Sequence, residues 1–192
     1  MKKIISIIAI LLFAGLHSQE ENLGVLESDS TWKKELIKMP LGFAREINYE
    51  GFEDIRFANG WSKKESSEFW AYTFVWHVKG IQKQTEENLT THLKAYFDGL
   101  MLPDDNDVQK ISGATISFSK TKNQESSFIG TIKTYDRFHT KTTITLNCTV
   151  KAYYCNTLNT TTVLFRFSLQ PFNHKVWKKF DEVTLSDAVC DD

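Results

Sequence analysis

Alternation of apolar and polar side chains is the strongest pattern in this chain. Across residues 69–79, Trp70, Tyr72, Phe74, Trp76 and Val78 fall on one side and Ala71, Thr73, Val75 and His77 on the other. That predicts a β-strand with one strongly buried face. Residues 114–121, 127–138, 140–154 and 161–170 are similarly rich in β-branched and aromatic residues. In 140–154, Ile144, Leu146, Cys148, Val150 and Ala152 oppose Thr143, Thr145, Asn147, Thr149, Lys151 and Tyr153. In 161–170, Val163, Phe165, Phe167 and Leu169 oppose Arg166, Ser168 and Gln170. The breaks between these runs are short enough for hairpins, so the pattern describes an antiparallel sheet with a core face and a wet face.

One segment changes period. Thr85 supplies an N-cap, Glu86 and Glu87 sit in the first turn, and Leu89, Leu93, Tyr96, Phe97 and Leu100 recur at helical spacing before Gly99 and Pro103 stop the helix. Its apolar stripe must cover the sheet's core face. The expected fold is therefore α+β, an antiparallel sheet of about five strands packed on one main helix in two layers. Residues 32–39 read as a short helix ended by Pro40, and residues 40–61 as a glycine-punctuated loop with extended pieces at 47–49 and 55–57. Residues 176–189 fit either a last strand or a short helix.

The N-terminus carries Lys2 and Lys3, an apolar run over residues 4–16, and then His17, Ser18 and Gln19. This charged, apolar, polar order is that of a secretory signal peptide, and the run is shorter than the roughly 20 residues of a spanning helix. The expectation is a signal peptide over 1–18 and a single globular domain over 19–192, located in the periplasm or outside the cell. Cleavage there removes two lysines and no acid, leaving 21 basic against 24 acidic residues, a formal charge of −3. The charges are interspersed, with no basic patch for nucleic acid.

Three cysteines exclude a disulfide scaffold. Cys148 shares the apolar phase of its strand, while Cys155 and Cys190 could pair and tie down the C-terminus.

Chemistry is sparsely marked. His77, His92, His139 and His174 are scattered without metal-ligand spacing, and the acidic turn 104–107 lacks the glycine and terminal glutamate of a calcium loop. There is no nucleophile elbow and no phosphate-cradling loop, and no cofactor is indicated. Asn88, Asn147 and Asn159 head formal glycosylation sequons, which matter only in a eukaryotic secretory pathway. Two features invite function. Glu50, Glu53 and Asp54, flanked by Arg45 and Arg56, could supply paired carboxylates for glycoside hydrolysis. Trp61, in a turn outside every periodic stripe, could stack on a sugar or anchor a partner. The wet face, with Thr149, Lys151, Tyr153 and Arg166, presents donors suited to an anionic polysaccharide or a protein.

Through Pro40-Leu-Gly-Phe-Ala44, Ile47-Asn-Tyr-Glu-Gly-Phe-Glu-Asp54, Gly60-Trp61 and Phe69-Trp-Ala-Tyr-Thr-Phe-Val-Trp76, the chain resembles small secreted proteins of uncharacterised function from Bacteroidota. The resemblance spans much of the N-terminal half and implies export from a bacterium, but no activity and no site residues. The expected function is an exported, non-enzymatic binding or envelope-associated module, its partner a polysaccharide or envelope protein. The alternative is a secreted hydrolase using the loop carboxylates. Export predicts that the protein recovered from outside the cytoplasm begins at Gln19, to be read from its intact mass; a cytoplasmic chain retaining Met1 would contradict it.

Overall fold

The computed structural model describes residues 24–102, 112–122, 124 and 126–190; the signal peptide expected over 1–18 and the calcium-like acidic segment 104–107 lie outside them. Nine strands and two helices follow one another as β1 (Leu26–Glu27), β2 (Lys33–Met39), β3 (Gly51–Phe57), β4 (Tyr72–Lys79), α1 (Glu86–Leu100), β5 (Thr115–Lys120), β6 (Ser127–Tyr135), β7 (Thr143–Cys155), β8 (Thr160–Ser168), α2 (Val176–Lys179) and β9 (Thr184–Leu185). Seven strands form one antiparallel sheet in the order β2-β3-β4-β8-β7-β6-β5, and β1 pairs with β9 in a second. No helix among the described residues is long and apolar enough to cross a membrane.

The α+β, two-layer expectation is overturned: the protein is mostly β, with seven strands where about five were expected and both faces of the sheet covered. Two misread segments account for the difference. Lys33–Met39 is an edge strand, not a helix, exposed along most of its length. Its lysines and glutamate favour helix locally, but charge is also how an edge strand avoids further pairing. Gly51–Phe57 is one continuous strand where only residues 55–57 were expected to be extended, because Glu53, Asp54 and Arg56 look like solvated loop charges and are in fact all buried.

Thr85 caps α1 reciprocally: its hydroxyl accepts from the Asn88 amide at 3.1 Å and the Asn88 side-chain oxygen accepts from the Thr85 amide at 2.8 Å. Leu89, Leu93, Tyr96 and Phe97 then pack against Phe74, Trp76, Phe165 and Phe167. Gly99 does not stop the helix. It lets the Phe43 carbonyl approach so closely that an added Cβ would lie 1.7 Å from that oxygen, which seats residues 41–44 against the helix.

The other face is covered by both ends of the described chain. Leu26, Trp32, Val176, Phe180, Val183 and Val189 pack on Val75 and Leu164. This face is therefore wet at its two ends, along β2 and beyond β8 toward β7 and β6; Ser168, expected in water, is fully buried. Cys155, at the end of β7, bonds to Cys190 with Cα atoms 5.4 Å apart, and Cys148 is a buried free thiol.

The disulfide closes a loop over a sequence separation of 35 and anchors the segment that covers the sheet. Cys190→Ser is expected to lower unfolding stability by about 2–4 kcal/mol in chemical denaturation, the usual effect of opening such a loop. An unchanged midpoint would show that the segment holds itself.

Candidate functional site

Alternation along β3 separates the carboxylates that the sequence places together. Glu53 faces α1, Asp54 faces the opposite side, and Glu50 precedes the strand. Glu50 is exposed and pairs with exposed Lys79, while Arg45 is also exposed. Asp54 is paired with Arg56 and accepts from the Leu26 amide at 2.8 Å; Arg56 also donates to the Leu26 and Ile55 carbonyls. This cluster binds β1 to the sheet. The structure thus brings no two of the expected carboxylates together, and paired acid and base chemistry has no geometry here.

Glu53 occupies a different environment. One carboxyl oxygen accepts from the Trp76 indole at 2.9 Å and the other from the Tyr96 hydroxyl at 2.8 Å. Burial, with a smaller contribution from the Glu35 charge, raises its pKa to about 7 against the lowering effect of those two bonds. The Tyr72 and Tyr96 phenols are raised well above their ordinary range, chiefly by burial, and so stay neutral.

Beside this group, between the end of α1, the β2 edge and two loops, lies a cleft of about 470 Å³. Ile37 and Ile55 come from β2 and β3, Tyr72 from β4, Tyr96 and Leu100 from α1, and Phe43, Phe57, Trp61, Trp70 and Phe138 close it. Among the described residues, Glu35 is the only carboxylate in its lining, and the lining holds no Lys, Arg or His. Trp61, half-buried, is thus the one member of the expected site that lines the cavity. Its ring lies 4.5 Å from that of Phe57 and packs edge-on against Trp70 and His139 at 6.3 and 5.2 Å. Neighbouring rings therefore occupy the surfaces a sugar would need.

Local backbone chemistry holds this wall. Trp70 has a left-handed backbone with φ of 58°, costly for a residue with a Cβ, and is fixed by its amide donating to the Trp61 carbonyl at 2.8 Å. Its indole donates to Asp136 at 3.2 Å. Buried Asp136 also accepts from the Phe138, His139 and Thr140 amides, shaping the turn that presents Phe138. Burial opposes ionisation of Asp136, but these hydrogen bonds outweigh it and its pKa is lowered. Two polar groups of the lining, the Tyr72 hydroxyl and the Trp61 indole nitrogen, have no hydrogen-bond partner among the described residues.

Most of the cleft escapes sequence reasoning. Trp70 and Tyr72 are visible there only as members of a buried stripe, while Glu35 and Ile37 sit in the segment read as helix and Phe57 in a short extended piece of a segment read mainly as loop. Among the described residues, no group of three or more His, Cys, Asp or Glu side chains could hold a metal.

The Glu53 carboxyl keeps its proton in the folded chain up to about pH 7. The unfolded chain releases it near ~4.3. Stability from this group is thus full below the lower value and falls as pH rises through that window, by on the order of 3 kcal/mol in all. Glu53→Gln, neutral at every pH and able to accept from Trp76, is expected to match the native chain at pH 4 and exceed it at pH 8 in denaturant titrations. A variant that is less stable at both would show that the carboxylate itself is needed. Comparison with protein-family models, curated proteins and solved structures finds no match to this chain, so the cleft is read from its own geometry.

Proposed function

We propose that the protein is an exported, non-enzymatic binding module that holds one small, predominantly apolar molecule in the aromatic cleft beside Trp61. The carrying observation is the cleft itself. Its volume falls within the roughly 300–1,000 Å³ of small-molecule sites, and rigid rings with one acidic group at the edge resemble the usual mixture of apolar wall and few polar contacts. Exposed Glu35 would take a donor or positive group at the ligand's polar end, while the rings enclose its apolar body. The free Trp61 N–H favours a ligand that also carries an acceptor. The Cys155–Cys190 bond supports placement in an oxidising compartment. The hydrolase alternative has no comparable support, since Glu53 and Asp54 project from opposite faces of one strand.

N-phenyl-1-naphthylamine, a neutral apolar fluorophore with one N–H, is a suitable probe. Saturable one-to-one enhancement with quenching of tryptophan emission is expected. Ile37→Trp, which fills the cleft from the β2 edge, should weaken binding at least about tenfold, equivalent to about 1.4 kcal/mol of lost contact. Absence of saturation, or an unchanged affinity in a folded Ile37→Trp variant, would overturn the reading.

A further inference from the structure

The opposite face of the sheet carries a second concavity with the reverse chemistry. Beyond β8 the covering segments end, and a groove of about 370 Å³ remains over β6, β7 and β8. Its register is set by the ladder: Ser127 lies opposite Lys151, which lies opposite Leu164, and on the neighbouring rung Thr149 lies opposite Arg166. Leu164 forms an apolar floor, and among the described residues the groove lining contains two cations and no carboxylate.

These groups are not spent on each other. The Lys151 ammonium sits 4.8 Å from the Tyr153 ring centre and forms no ion pair among the described residues. Arg166 is held in place by donating to the Phe180 carbonyl at 3.1 Å and stands 3.4 Å from the exposed Asp181 carboxylate. Its Nε has no acceptor among the described residues. Ser127 is 5 % exposed, and its hydroxyl is likewise without a partner. Buried polar groups are nearly always hydrogen-bonded, so an unpartnered hydroxyl and an unpartnered guanidinium N–H, with a lysine beside them, mark a place where an acceptor with negative charge would be held.

We infer that this groove binds an oxyanion: a sulfate, phosphate or carboxylate group, free or carried on an acidic polysaccharide. The Arg166 and Lys151 charges bracket the anion, and the Ser127 and Thr149 hydroxyls donate to its oxygens. This site is independent of the aromatic cleft, which lies on the α1 side of the sheet at its other end.

The test is an amide NMR titration of the full chain with sodium sulfate and sodium phosphate against sodium chloride at matched ionic strength, which removes general screening. A parallel titration uses dextran sulfate. Saturable shifts at Ser127, Thr149 and Arg166 are expected with the oxyanions and not with chloride. Lys151→Gln, a surface change that leaves the core untouched, should weaken binding about tenfold, as removal of one charge-assisted hydrogen bond does. Saturation by the inorganic salts identifies a free anion as sufficient. Saturation by dextran sulfate alone identifies a polymer-borne group. Linear or chloride-like shifts with every salt and with the polymer would overturn the inference, as would affinity unchanged by Lys151→Gln.

Discussion

Burying an isolated charge in a protein interior costs several kcal/mol, and β3 buries three ionisable side chains within four residues. Two separate solutions are forced by the pleat. Asp54 and Arg56, two apart, share a face and neutralise each other, and both use the backbone of Leu26 to complete their hydrogen bonds. Glu53, between them in sequence, faces the other way, has no cation, and answers burial by holding its proton and by accepting from Trp76 and Tyr96. The first solution docks the N-terminal segment on one side of the sheet. The second ties α1 to β4 on the other. One strand thereby specifies where both covering layers sit.

This is also why the sequence is legible in its second half and misleading in its first. β7 alternates cleanly because one of its faces meets the core and the other lies toward the sheet's open end, whereas β8 keeps its pattern only in part, since both its faces are covered and Ser168 is buried. The helix is legible because its cap, first-turn acids and apolar stripe agree. On β3 the usual code fails, since both faces are buried and polar residues occupy them. On β2 it fails for the opposite reason: an edge strand with few buried positions leaves only local propensity to read, and propensity there favours helix. The expected site inherited the first error. Glu50, Glu53 and Asp54 are neighbours in sequence, but strand geometry sends the last two to opposite faces, whereas Trp61, which belongs to no stripe, lines the aromatic cleft.

Coverage of the sheet explains where the two concavities lie. At the centre, β3, β4 and β8 have apolar or neutralised side chains on both faces, and α1 on one side and the terminal segments on the other use them up. Toward β2 the helix ends at Leu100 while the apolar face of the sheet continues through Ile55 and Ile37. The aromatic turns at Trp61, Trp70 and Phe138 close that surplus only in part, and a hydrophobic cleft is what remains.

Toward β6 and β7 the deficit is on the other face. The segment after β8 reaches Arg166, takes its guanidinium through the Phe180 carbonyl, and turns back to the disulfide at Cys155 instead of crossing β7. Had it continued across, Lys151 and the hydroxyls of Thr149 and Ser127 would have required partners from it, and its acceptors would have had to match a cationic strip. Stopping short leaves Lys151 at an open groove, with Asp181 paired to Arg166 on one side of it. The same limited coverage thus yields an apolar recess at one end of the sheet and a cationic one at the other. Because the doubly buried centre separates them, occupancy of one has no shared side chain through which to displace the other.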